Sequence, residues 1–154
     1  MAARATDRPR VRVAALMVLG DRVVTVRHRA GSSVYHLLPG GGVDWGETLE
    51  AALLREISEE TGFEASLGRL LFVNDTIDPS GGRHVVNLTF EATITGGELA
   101  EHPADARVEA VDLVAPDELT TLDLRPPMAE AMLGALRGEV GAAQYLGSLF
   151  RNGT

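Results

Sequence analysis

The sequence predicts an α/β fold, a mixed β-sheet flanked by helices, on three observations. Alternating apolar and polar runs lie on both sides of one segment whose apolar residues recur every four positions, which reads as strands around a helix. A second segment with helical spacing, built on Met128, Met132 and Ala135, follows the last of those runs. A chain of 154 residues is long enough to bury one core and too short for two. Residues 1–154 are therefore expected to form one domain, with about residues 1–9 as a flexible amino terminus and 139–154 as a docking tail.

In chain order, residues 10–18 alternate, with Val11, Val13 and Ala15 on one side. Gly20 and Asp21 supply a tight turn, so a first hairpin with a strand over 22–29 is expected. That return strand sets Val24, Val26 and His28 on one face and Thr25, Arg27 and Arg29 on the other. Its two arginines project together, either to grip phosphate or as a solvated face. After the polar residues 30–33, a short strand over 34–38 ends at Pro39. Gly40, Gly41 and Gly42 then read as a loop that allows backbone angles and close approaches a side chain would block.

Beyond the helix, residues 65–74 read as a strand and 78–82 as a turn through Pro79, Gly81 and Gly82. The partner strand points Val86, Leu88, Phe90, Ala92 and Ile94 inward, with Asn87, Thr89, Glu91 and Thr93 opposite. Residues 96–106 read as a flap over a cleft, and 108–114 close the sheet. Pro116 starts a single helical turn, Pro126 and Pro127 open a second helix, and Gly138 ends it. The tail gathers Tyr145, Leu146, Leu149 and Phe150, apolar enough to dock on its own domain or to hold a homodimer together.

The central helix carries the chemistry. Asp44 and Glu47 stand three apart before an apolar run, so Asp44 is expected to cap a helix beginning near Trp45 while Glu47 reaches back. Trp45 is then placed at the cleft mouth or packed at the helix start. Leu49, Leu53 and Ile57 form one apolar stripe, and Gly62 supplies the left-handed residue that ends the helix near Thr61. At about 100° per residue, Glu56, Glu59 and Glu60 share one arc. That crowd is electrostatically unfavourable at the carboxyl end of a helix, which already carries partial negative charge. Magnesium, or manganese, prefers converging hard oxygen ligands and supplies the missing positive charge. Arg55, next to Glu56 and four residues before Glu59, can reach these carboxylates and fix their orientation. Glu50 and Glu64 read as solvated.

Composition narrows the alternatives. There is no cysteine, which removes disulfides, thiolate metal sites and cysteine nucleophiles and is compatible with a cytoplasmic location. All fourteen basic residues are arginine, so neither a Walker lysine nor a Schiff base is available. A net charge of −8 disfavours a nucleic-acid polymer as partner and leaves open a small anion held through metal. Apolar runs such as 13–19 fall short of a membrane span, and residues 1–10 lead into no signal-peptide core, so neither membrane nor export is expected.

Gly41 is followed after five residues by Glu47, after seven more by Arg55, and then directly by Glu56, Ile57, Ser58, Glu59, Glu60, Thr61, Gly62 and Phe63. This pattern resembles the Nudix box, the mark of hydrolases that cut a diphosphate joining a nucleoside to a further group. The resemblance implies an α/β/α sandwich and a Mg2+-dependent pyrophosphatase, with Mn2+ as substitute. Its small-molecule substrate would be an ADP-ribose, nucleoside triphosphate or dinucleoside polyphosphate, giving a nucleoside monophosphate and a phosphorylated remainder. It implies metal ligands at the carbonyl of Gly40 and at Glu56, Glu59 and Glu60, with Glu56 also a candidate to deprotonate water. Arg55 and Glu47 support the site, Glu47 by bracing the glycine loop, and Gly41 and Gly42 border the substrate. Some relatives carry a further acid where this chain has Arg107, which leaves Glu101, Asp105 or Glu109 to supply it. Two other classes fit the family less well. A non-catalytic nucleotide-sensing module usually loses box residues that are kept here, and the related isopentenyl diphosphate isomerases use a cysteine that is absent.

Overall fold

The computed structural model describes residues 7–151. Most of the expected flexible amino terminus and the last three residues of the tail lie outside the described residues. Among the described residues, nine strands form two sheets. The larger runs in the order Gly40–Gly42 (β5), Arg10–Leu16 (β1), His84–Gly97 (β7), Phe63–Ile77 (β6) and Gln144–Ser148 (β9). The smaller gathers Val18–Leu19 (β2), Ser33–Leu37 (β4) and Ala110–Val114 (β8) around Arg22–Ala30 (β3). Two helices, Leu49–Thr61 (α1) and Ala129–Leu136 (α2), flank the larger sheet, and Pro116–Glu118 forms the single turn that the sequence predicts.

Alternation along β1 shows how the layers are filled. Val13, Ala15 and Met17 point into a core shared with Leu53 and Ile57 of α1, while Ala14 and Leu16 point into a second core with Met132 and Leu133 of α2. Leu53 and Ile57 are fully buried, each worth about 1.5–3 kcal/mol of apolar burial, so α1 is held by packing as well as by its own hydrogen bonds. The result is an α/β sandwich with a mixed sheet, as the sequence predicts.

Several local expectations need correction. The first hairpin is only two residues deep: Val18 and Leu19 pair with Val23 and Arg22 across Gly20, whose φ of 63° makes the turn. The chain changes sheets at Met17, and β1 instead runs parallel to β7, with Arg10 opposite Val85 and Arg12 opposite Asn87. The glycine triplet is a short strand pairing with β1 rather than a loop. Helix α1 starts four residues later than the Asp44–Glu47 spacing suggests. Thr48 caps it, accepting a 3.0 Å bond from the Ala51 N–H, while residues 44–47 form a separate turn closed by the Glu47 N–H on the Asp44 carbonyl. Trp45 projects from that turn and is completely exposed, at neither the cleft nor the helix start. Along β7 both faces are covered, so Asn87 and Thr89, read as the outward set, are buried. The helix end at Thr61 and the left-handed Gly62 fall where the sequence places them.

The tail lies on the larger sheet. β9 runs parallel to β6, Leu149 donates to the Asp75 carbonyl, and the Tyr145 hydroxyl donates to the Asp75 carboxylate. Leu146 and Leu149 pack against the core under α2. No helix among the described residues is long and apolar enough to cross a membrane.

Candidate active site

Helix α1 delivers its acids to the edge of β5. Glu56 and Glu60, four residues apart, lie on the buried side of the helix and are 5% and 2% exposed. Glu59 is rotated off that line and faces solvent, with its carboxylate 3.6 Å from Arg55. The buried pair meets Asp105 from the loop after β7, and one carboxylate oxygen of each of the three lies within 4.8 Å of the others. That loop is pinned to the end of α1: Ala104 donates to the Glu59 carbonyl and Ala100 to the Thr61 carbonyl. Helix carbonyls that would otherwise be unsatisfied thus hold Asp105 in place.

Arg55 organises one side of the cluster. Its Nε and Nη2 donate to the two oxygens of Glu47 at 2.8 Å each, Nη1 donates to Glu56 Oε1 at 2.8 Å, and Nη2 reaches the Gly42 carbonyl at 3.3 Å. The fork fixes Glu47, Glu56 and the glycine strand relative to one another. Together with the Asp44 N–H, it holds the Glu47 carboxyl down at about 2, and it keeps the Arg55 guanidinium firmly charged. Glu60 is placed differently, its Oε1 accepting from the Gly40 N–H at 2.6 Å. Burial pushes its carboxyl up to about 7, against the pull of that N–H and of Arg12, and Glu56 and Asp105 add to the rise.

The glycines are required by this packing. A Cβ on Gly41 would fall inside the Glu56 carboxylate, and one on Gly40 would strike the Val13 carbonyl. Glu56 Oε2, beside Gly41, is buried with no hydrogen-bond partner. Asp105 is better satisfied, because both of its oxygens accept from Arg107, the shortest contact at 2.7 Å, and this holds its carboxyl below the usual range.

The cluster opens into a cleft of about 1020 Å3 bordered by Gly40, Gly41, Gly42, Glu60, His28 and Arg107. Arg27 and Arg29 lie on the opposite face of β3 from His28 and do not border the cleft. Arg27 pairs with Glu109 and Asp112, and Arg29 pairs with Glu109. Glu109 is therefore occupied away from the cluster, and Glu101 is exposed on the flap outside it. Of the three candidate acids, Asp105 is the one brought to Glu56 and Glu60. Sequence reasoning missed Arg12, whose Nη2 donates to the Leu38 carbonyl at 3.1 Å while it borders the cleft beside Glu60. The signal was the alternation of Arg8, Arg10 and Arg12, which puts all three on one face of an extended segment.

Comparison with known proteins follows the same lines. A family model described as NUDIX domain matches residues 8–134. The chain is 41% identical over 76 residues to the ADP-ribose pyrophosphatase of Methanocaldococcus jannaschii, covering 49% of this chain and 45% of that protein. It is 43% identical over 61 residues to a putative 8-oxo-dGTP diphosphatase of Bacillus subtilis, covering 40% and 38%. The chain thus spans less than half the length of either relative. The structure matches a solved NUDIX hydrolase from Nitrosomonas europaea with a TM-score of 0.76 at 21% identity, covering 88% of this chain and 93% of that one, a likeness of fold.

Proposed function

We propose, since the chain belongs to the NUDIX family, that it is a metal-dependent pyrophosphohydrolase acting on a nucleoside diphosphate linked to a further group. The observation that carries this reading is Glu56 Oε2, a buried carboxylate oxygen without a partner where Glu60 and Asp105 converge. Such an oxygen is costly unless a cation or a bound proton donor meets it. The donor set is entirely carboxylate oxygen, which fits Mg2+ or Mn2+. Glu56, Glu60 and Asp105 would hold the ion, with Glu59 and the Gly40 carbonyl as the further ligands that the box implies. When bound, Mg2+ supplies positive charge against the diphosphate and makes water more acidic.

The chain's own residues do the remaining tasks. Arg55 fixes Glu56 through Oε1 and so holds Oε2 in one orientation toward the ion, while a carboxylate of the cluster takes the proton from the attacking water. The water oxygen bonds to one phosphorus as the bridging P–O bond on that phosphorus breaks, giving a nucleoside monophosphate and a phosphorylated remainder. Arg12 and Arg107 border the cleft where charge grows on the departing phosphate. Glu47 acts at one remove, through Arg55 and the turn before α1.

The test is a screen of ADP-ribose, 8-oxo-dGTP and dinucleoside polyphosphates with Mg2+ and product identification, run beside Glu59→Gln and Glu60→Gln. The first two compounds are included because relatives are named for them. A nucleoside monophosphate is expected only with the metal present, with a loss of about a hundredfold or more in Glu60→Gln and a smaller loss in the exposed Glu59→Gln. Binding without turnover in the parent protein, or Glu60→Gln matching it, would contradict the reading.

A further inference from the structure

Beyond the carboxylate cluster the cleft is basic, in a protein whose net charge is −8. Among the described residues, seven of the fourteen arginines border it, against three acids, Asp7, Glu60 and Asp78. Arg10 and Arg12 stand two apart on β1, and Arg8 continues their spacing toward the amino terminus, so neighbouring members are about 7 Å apart along an extended chain. The row starts at Arg12, beside Glu60 and opposite Gly42, and runs toward the amino terminus. Arg10 Nη2 lies over Gly42. Arg83 comes from the other side, just before β7, whose start pairs with Arg10 through Val85.

These side chains are not balanced in the usual way. Eight other arginines each have an acid within 4.0 Å. Among the described residues, the guanidinium groups of Arg8, Arg10 and Arg83 have no hydrogen bond or ion pair, although all three residues border one cleft. Arg12 is bonded only to a carbonyl; burial disfavours its charge, Glu60 favours it, and Arg83 beside it disfavours it further. A solvated strand face would spread such charges into open water. Here they converge on one concavity that ends at the acidic cluster, an arrangement that repels itself until an anion enters.

We infer that Arg8, Arg10, Arg12 and Arg83 form a second anion site, one that takes the distal phosphates of a chain of three or more phosphates. The inference rests on the hydrolase reading for its direction, from the cluster outward. Guanidinium forks bind phosphate oxygens, and several of them around one concavity suit a chain with more phosphates and more charge better than the single diphosphate of a nucleotide sugar. The site therefore selects a nucleoside triphosphate or dinucleoside polyphosphate over ADP-ribose.

Calorimetry in EDTA with inorganic tripolyphosphate and pyrophosphate tests the site without turnover. The parent protein should bind tripolyphosphate about tenfold or more tightly than pyrophosphate. Arg10→Gln with Arg83→Gln should remove that preference, and Arg137→Gln, beyond the end of α2, should not. Adenosine triphosphate binding as tightly as tripolyphosphate assigns the site to a nucleotide's own phosphates, and tripolyphosphate binding more tightly assigns it to free polyphosphate. With metal restored, the kcat/KM ratio of triphosphate to ADP-ribose should fall about tenfold in the double variant. No preference in the parent protein, or a preference that survives the double variant, overturns the inference. Arginine-dependent tripolyphosphate binding without hydrolysis of any nucleotide would support the anion site while the hydrolase reading failed.

Discussion

Without metal the protein should lose stability as pH rises from 4.5 to about 7, and Glu60 is the reason. Its carboxyl, 2% exposed, is raised from 4.5 to about 7 chiefly by burial. Below pH 4.5 it is protonated in both folded and unfolded chains and contributes no slope. Between 4.5 and about 7 the unfolded chain has released the proton and the folded one has not, so rising pH favours unfolding. At about 1.4 kcal/mol for each pH unit, the full displacement amounts to about 3 kcal/mol, complete above pH 7. Glu60→Gln keeps an oxygen for the Gly40 N–H and cannot ionise, so it should equal or exceed the parent protein at pH 8 by up to that amount. His28 titrates with the opposite sign, because burial lowers its pKa and acid below 6.5 costs stability, but both proteins share it and the difference cancels. Urea unfolding of the two proteins in EDTA at pH 5, 6, 7 and 8 measures the effect. A difference that does not change with pH, or a variant that is weaker at pH 8, would refute the assignment of Glu60 as a carboxyl held out of water.

Gly41→Ala should leave the helix content of the circular dichroism spectrum intact and weaken Mn2+ binding about tenfold, because the added methyl displaces the Glu56 carboxylate. Arg55→Lys should lower kcat about a hundredfold, since an ammonium cannot span Glu47, Glu56 and the Gly42 carbonyl at once; NMR titration should find Glu47 risen from about 2 toward 4.5. Thr48→Ala should cost about 1 kcal/mol in urea unfolding with turnover retained, whereas Asp44→Ala should cost less if Thr48 is the cap.

Local chemistry made the body of the helix and its terminating Gly62 legible, and distant pairing hid the rest. Gly62 and the Leu49, Leu53, Ile57 stripe mark α1 because both signals lie within the helix itself. Its start was misread because the Asp44–Glu47 spacing mimics a cap, whereas Arg55 claims Glu47 from eight residues away and Gly46, at φ 82°, separates the turn from the helix. The periodicity put three glutamates in one arc, but only packing distinguishes Glu56 and Glu60, turned toward β5, from Glu59, turned to water. Arg27 and Arg29 looked available because Glu109 and Asp112 lie about eighty residues away in sequence. The parallel pairing of β1 with β7 has no local mark at all, and with it went the reading of Asn87 and Thr89 as outward residues.

The central claim is that Glu56, Glu60 and Asp105 are tolerated together because a divalent cation joins them. Electron paramagnetic resonance of Mn2+ at pH 8, which reports the free ion, tests it most directly. The parent protein should deplete the free signal, and Glu56→Gln, Glu60→Gln and Asp105→Asn should each weaken that depletion about tenfold or more. A free signal that the parent protein leaves intact with nucleotide present, or that the three variants deplete equally well, would contradict it.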